Sequence, residues 1–276
     1  MNHSSVAAIQ VPEAKRQRFD LIVFQDDPQY LDDQFELLSA SQQRLPKIYL
    51  EHDPPRSHPV DSRHPVADPE VMVVHVTAFN RLMWDNGTSP SRVIEHGVID
   101  PGYRYRGELE RGLVVINDLA KRGRRLGLDI FCETKKAIPL DLIGMNAEEI
   151  GGLGEVLHAD LPAFAARYRF LFNPIRYTSL GLAVIESMMA GLPVVALATT
   201  EMVTLIRNGE NGFLDTDPHA LMAKMKHLLE DPEEAKHLGQ RARQAALERF
   251  GIGRFVADWN AAFAEAAGTR RERSAA

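Results

Sequence analysis

Cysteine is nearly missing from this chain: its 276 residues contain one, Cys132. That excludes an internal disulfide and fits a reducing compartment. Long apolar runs are missing too. No stretch approaches the roughly eighteen consecutive apolar residues of a membrane span. The opening MNHSSVAAIQVPEAKRQRFD lacks the apolar segment of a signal peptide. The expected location is the cytoplasm, with peripheral contact at the inner membrane face left open. Surplus positive charge is also lacking: 32 Lys and Arg stand against 38 Asp and Glu, a formal charge of -6. Nucleic acid is therefore excluded as a partner, because its binders are usually basic. Nor is there a metal-ligand pattern. Prolines separate His52, His58 and His64, so no common face joins them, and no metal is expected.

What remains is globular usage, 45% hydrophobic and 25% charged, enough for one large or two small domains. Strand-like and helix-like segments alternate. Residues 20–25 (DLIVFQ), 46–53 (PKIYLEHD), 71–77 (VMVVHVT) and 92–97 (RVIEHG) read as strands. Residues 30–41 and 79–84 read as helices. The proline-rich stretch 54–70 reads as irregular. In the second half, residues 112–119, 128–133 and 140–144 read as strands. Residues 160–168 and 218–229 read as helices, and 232–267 as one or two more, broken near Gly251. The alternation predicts an α/β fold with parallel sheets. Phe255, Trp259 and Phe263, spaced by four, form an apolar stripe on the last helix.

The most informative stretch is 173–215, NPIRYTSLGLAVIESMMAGLPVVALATTEMVTLIRNGENGFLD. Pro174 ends a strand. The loop 176–179 leads into residues 180–190, apolar around nearly the whole circumference and therefore a buried helix. Gly191 stops it, and residues 193–197 form a buried strand. Glu186 is the anomaly, a lone carboxylate about two turns into that helix. Such a group needs a partner or a task. Two readings stand: an acceptor for ligand hydroxyls, or a buried ion pair with Arg176.

Gly181-Leu182, Glu186, Met189-Ala190-Gly191 and Pro193-Val194-Val195-Ala196 resemble the donor-site signature of retaining GT-B glycosyltransferases, family 4 in particular. Asn208-Gly209 and Asn211-Gly212-Phe213-Leu214 match that family's later turn and strand. The resemblance runs over about residues 92–255. It implies a GT-B-like fold of two Rossmann-type lobes. It also implies metal-independent transfer, with retention, from a nucleotide sugar to a glycan or lipid-linked acceptor, in polysaccharide, lipopolysaccharide or glycoconjugate synthesis. The nucleotide sugar is a substrate; no cofactor is implied. The expected domains are a flexible N-terminus (1–18), an abbreviated acceptor-side lobe (19–105), a donor lobe (106–267) and a disordered tail (268–276). Four short strands in the first lobe would leave one sheet edge bare, and the N-terminal segment, the proline-rich loop or a second copy of the chain is expected to cover it.

Roles carry over residue by residue. Glu186 takes the position of the family's second glutamate, on the donor's ribose. Ser179, Leu180 and Gly181 stand at a helix N-terminus suited to a diphosphate, with Leu182 opening the helix. Gly181 lets backbone approach a ligand, or merely eases helix–sheet packing. Lys121 or Arg122 matches a phosphate-binding Lys, or forms a solvated basic turn. Asn173, Arg176 and Thr178 line the sugar pocket. His52, ending its strand, faces the acceptor; His75 is the competitor, better read as a core histidine. The loop 151–155 (GGLGE) reads as a connection or a weak phosphate cradle. The chain departs from the family at Thr178, where an acid is usual, and at Asp118, where Arg is usual. These departures favour a rival, a non-catalytic homologue that binds a nucleotide sugar or a partner enzyme. Another GT-B chemistry, such as epimerisation, would need a carboxylate pair facing the sugar, and none is evident.

Overall fold

A computed structural model describes residues 7–274. The chain forms two compact units. One holds the residues up to Ile94 together with those from Ala257 on; the other is Glu95–Val256.

The first unit is built on a four-stranded parallel sheet in chain order: Ile22–Phe24, Lys47–Glu51, Val71–His75 and Ser91–Val93. Every residue of Val71–His75 is buried, which explains its unbroken apolar run. Phe24, Tyr30, Tyr49 and His64 meet edge to face in series, with ring centroids 5.5, 6.0 and 5.1 Å apart. The proline-rich stretch is not wholly irregular. Ser62–Arg63 pairs in parallel with Trp84–Asp85, because the prolines lie outside those two residues. The helix expected over 30–41 breaks into a π turn, Gln29–Asp33, and one α turn, Gln34–Leu37. Beyond it, the Gln42 side chain accepts from Ser39 N and the Ser39 hydroxyl accepts from Gln42 N. Such local bonds compete with helix. The stretch before residue 18, expected to be loose, is tied down over its described part. Val11–Ala14 is helical, and the Gln42 amide donates to the carbonyls of Ala14 and Gln17.

The second unit has a five-stranded, all-parallel sheet in the order Gly212–Asp215, Val194–Leu197, Tyr168–Asn173, Leu109–Val115, Leu140–Ile143. The first strand in sequence thus lies between the second and the third. Its border with Tyr168–Asn173 is the point where strand order reverses. Open α/β sheets take ligands outside the carboxyl ends of their strands at such a point. Helix Leu182–Ala190 is buried from Val184 onward. Gly191 ends it in the left-handed region, φ 99°. Helix Pro232–Phe250 crosses so closely there that a Cβ on Gly239 would lie 2.0 Å from the Gly191 carbonyl oxygen.

Three expectations are corrected. Residues 128–133 are not a strand but the helix Leu128–Thr134. Its buried residues Ile130, Phe131 and Thr134 share one helical face, while Asp129 and Glu133 point out. The division between units falls at 94/95 rather than 105/106. Residues 95–105 are pinned to the second unit: Arg249 grips Glu95, Arg243 pairs with Asp100 at 2.7 Å, and the Tyr105 hydroxyl donates to the Arg169 carbonyl. The tail is helical to Ser274, continuing a helix that starts at Ile252, and its residues from Ala257 on group with the first unit. There Trp259 is buried and stacks at 5.2 Å on Phe263, and Arg92 pairs with Glu265. Phe255, the third member of the stripe, belongs to the second unit instead, closing on Gly97.

Candidate active site

The apolar sequence of Leu182–Ala190 forces most of the helix into the core, and Glu186 goes in with it. Only 7% of Glu186 is exposed. Its carboxylate accepts one hydrogen bond, from His158 Nε2 at 2.6 Å. The partner is unlike it: the His158 side chain is 82% exposed. The ion pair with Arg176 is not formed. Arg176 binds Asp129 with both terminal nitrogens, at 2.5 and 2.8 Å, and also the Arg124 carbonyl. That hydrogen bond from Arg176 holds the Asp129 carboxyl below its usual range.

Glu186 faces a cleft of about 250 Å³. Val115 and Ile143, the last residues of adjacent parallel strands, form its floor, together with Asn117 and Gly144. Glu155, Val156 and His158 line it from one loop, and Leu182 and Ala183 from the first turn of the buried helix. It lies at the carboxyl edge of the sheet, where a ligand is expected. Apolar walls with a few convergent polar groups are the usual make-up of a small-molecule site.

The loops around it are fixed from within. The Asn117 side chain accepts from Met145 N at 2.9 Å, and Asp118 accepts from the Asn146 side chain at 2.7 Å. Asp118 therefore ties two loops together. The glycine loop packs hard: a Cβ on Gly152 would meet Ala147 at 2.7 Å, and Gly154 accepts from Gly144 N. Close packing accounts for Gly152 and Gly154, and a left-handed backbone, φ 74°, for Gly151.

The remaining candidates divide. Gly181 begins the helix, and a Cβ there would meet nothing within 4 Å. Easing helix–sheet packing is therefore not its role. Leu182 is 44% exposed beside it, while Ser179 and Leu180 are buried and Thr178 is half-buried. Asn173 is buried, its side chain accepting from Ile175 N. Lys121 and Arg122 end a one-turn helix, and neither pairs with an acid among the described residues. Among those residues, no group of three or more His, Cys, Asp or Glu is placed to hold a metal.

In the first unit, His52 follows its strand directly and is exposed, with Nε2 3.0 Å from the Gln25 amide oxygen. His75 is fully buried, bonded through Nε2 to Asn86 at 2.7 Å, and burial pushes its pKa down to about 4. His64 is buried as well. Its Nδ1 accepts from Val66 N and its Nε2 donates to Glu51 at 3.2 Å. The sequence reading missed His158, gave Asn117 no role, and included Glu155 only as the end of the glycine loop. Nothing in periodicity or spacing marks them, since all three lie on irregular loops beyond strand ends.

Residues 116–231 match the family described as Glycosyl transferases group 1. Over 112 residues the chain is 30% identical to a trehalose synthase of Pyrococcus horikoshii, covering 41% of this chain and 24% of that protein. The chain spans about a quarter or less of the curated relatives it matches. Among solved structures, it superposes on a sucrose-phosphate synthase from Thermosynechococcus elongatus with a TM-score of 0.70 at 18% identity, covering 94% of this chain and 75% of that one. With the Anabaena HepE protein in complex with UDP-glucose, the TM-score is 0.65 at 16% identity, covering 94% and 80%. The α/β fold with parallel sheets is that of GT-B glycosyltransferases.

Proposed function

We propose that the chain is a retaining glycosyltransferase of family 4 type, using a nucleotide-activated sugar and an acceptor hydroxyl without a metal. One observation carries this reading: a buried carboxylate, alone on an apolar helix, opens on a cleft at the carboxyl ends of two adjacent strands of a parallel sheet. Such a site suits a nucleoside. The apolar walls take the flat base, and the carboxylate accepts two hydroxyls of a ribose. Lys121 or Arg122 meets the diphosphate, with the exposed Gly181–Leu182 backbone beside it. Asn173 and Thr178 face the sugar, and Arg176 acts indirectly by fixing the turn at Asp129. His52 faces the acceptor, a glycan or a lipid-linked sugar. The setting is polysaccharide, lipopolysaccharide or glycoconjugate synthesis in the cytoplasm, against the inner membrane face where the acceptor is lipid-linked. A homodimer is part of the same proposal.

A second reading has its own support. Thr178 is not acidic, and Asp118 is committed to Asn146. A homologue that binds a nucleotide sugar or a partner enzyme without turnover would tolerate both. A thermal-shift screen of uridine, guanosine, adenosine and cytidine diphosphates tests binding, since a ligand of the folded state raises its melting temperature. Sugar release from the matching nucleotide sugar, followed by NMR of the product anomer with and without chelator, then tests turnover, retention and metal independence. Binding without any release favours the second reading, and no binding at all removes both.

A further inference from the structure

Glu186 and His158 are paired, but unequally. The carboxylate is buried on a helix that cannot move without opening the core. The imidazole sits on a loop just before helix Leu161–Ala165, almost wholly in solvent. Both line the same cleft. Among the described residues, His158 is the one hydrogen-bond donor to Glu186. We propose that His158, at the mouth of the cleft, is an internal stand-in for a ligand hydroxyl on Glu186, and that a ligand binds by displacing it. His158 thereby sets affinity without touching the reacting atoms. This rests on the nucleoside reading of the cleft.

The chemistry follows from the donor set. A carboxylate only accepts, so the His158 Nε2 must carry the proton in this bond. One imidazole satisfies one carboxylate oxygen, whereas a vicinal diol supplies two donors to two oxygens. A diol therefore wins at Glu186 once it is present. The exposed imidazole loses little on leaving, because water takes over its hydrogen bond. The cost of breaking the pair is charged against every binding event. Removing the imidazole should therefore destabilise the free protein and tighten the ligand by the same factor.

The test uses the full-length chain with uridine and guanosine diphosphates as probes. Wild type, His158→Ala, His158→Gln, Glu186→Gln and the Ala/Gln double variant are compared by calorimetric titration and by urea unfolding. His158→Ala should bind about 2- to 5-fold more tightly, the range of an ion pair with one solvent-exposed partner. Its free form should be less stable by a matching factor, with the difference gone at saturating ligand. His158→Gln, which still donates, should stay near wild type. In the Glu186→Gln background, where the partner is a neutral amide, His158→Ala should change binding less than in wild type. Weaker binding by His158→Ala overturns the proposal, because His158 would then be a ligand contact. Unchanged binding overturns it as well. If wild type binds neither probe but the cycle between positions 158 and 186 still shows coupling in unfolding, the nucleoside reading fails and the displacement claim fails with it, leaving a pair with no ligand to yield to.

Discussion

Two carboxylates in the second unit are buried to a similar depth and held in opposite ways. Glu201 is 1% exposed and fully engaged: Arg249 meets it at 2.6 Å, the Thr204 hydroxyl donates to it at 2.6 Å, and Arg249 also grips Glu95. Glu186 is 7% exposed, and its donor is a single solvent-exposed imidazole. A buried charge is tolerated when it is paired and hydrogen-bonded. Glu201 meets that condition from within the fold. Glu186 meets it through one donor, beside an open cleft. Similar burial thus separates into a carboxylate paired within the fold and one held by a single exposed side chain beside a cleft.

The largest expected effect breaks the first of these. Arg249→Met keeps the length of the side chain and removes the charge. Glu201 then loses its guanidinium, and so does Glu95. Removing one member of a buried pair costs about 3–5 kcal/mol. Urea unfolding should show a loss of that size, while nucleotide affinity of the folded fraction stays unchanged. A loss under about 1 kcal/mol would mean that Glu201 is no better anchored than Glu186.

A buried base sharpens the comparison from the other side. His75 is bonded by a neutral amide rather than a charge, and its Nδ1 has no hydrogen-bond partner among the described residues. Burial lowers its pKa from the ordinary 6.5 to about 4. The unfolded chain therefore binds a proton more readily than the folded one. The contribution is fully present above about pH 6.5 and is lost as pH falls toward 4, by on the order of 1–3 kcal/mol. His75→Gln should flatten the stability profile between those limits. An unchanged acid slope would show that other groups govern it.

Glu186→Gln should have the inverse profile of Arg249→Met. Stability should fall by less than about 1 kcal/mol, the size of a pair with one solvent-exposed partner. Nucleoside diphosphate binding should weaken by about 1–3 kcal/mol. A variant that melts far lower while binding as before would make Glu186 a second Glu201.

The contrast between these carboxylates was half legible in the sequence. The lone charge in LGLAVIESMMAGLPVVA marks Glu186, and its neighbours fix a buried helix ahead of a buried strand. Most parallel strands were equally legible, because strands such as VMVVH are apolar on both faces. The partners were not. His158 and Asn117 lie on loops whose paths depend on distant contacts, such as Gly144 against the Ile116 carbonyl oxygen, where a Cβ would come within 2.5 Å. The helix Leu128–Thr134 was misread because LGLDIFCE alternates too briefly to separate the two periods. The unit boundary was missed because residues 95–105 have no regular structure and are held by arginines far along the chain.

The smallest expected effect concerns the cations, which repeat the contrast with opposite charge. Arg176 is committed, its guanidinium bound to Asp129 and to the Arg124 carbonyl. Lys121 and Arg122 end their short helix with no acidic partner among the described residues. If uncommitted charge marks ligand contact, the two kinds of arginine should separate by ligand. Lys121→Ala with Arg122→Ala should weaken a nucleoside diphosphate several-fold, about a factor of ten at most, and leave the bare nucleoside unaffected. Arg176→Ala should weaken both ligands alike, because it loosens the 124–129 turn rather than removing a phosphate contact. Titrating each variant with uridine and with its diphosphate, at low and at raised salt, reads the difference directly. Salt should erase the selective loss, since exposed charges are screened. Equal losses for nucleoside and diphosphate in the Lys121/Arg122 variant would mean that an unpaired cation is here only a solvated one, and the inference from unpaired charge would then rest on Glu186 alone.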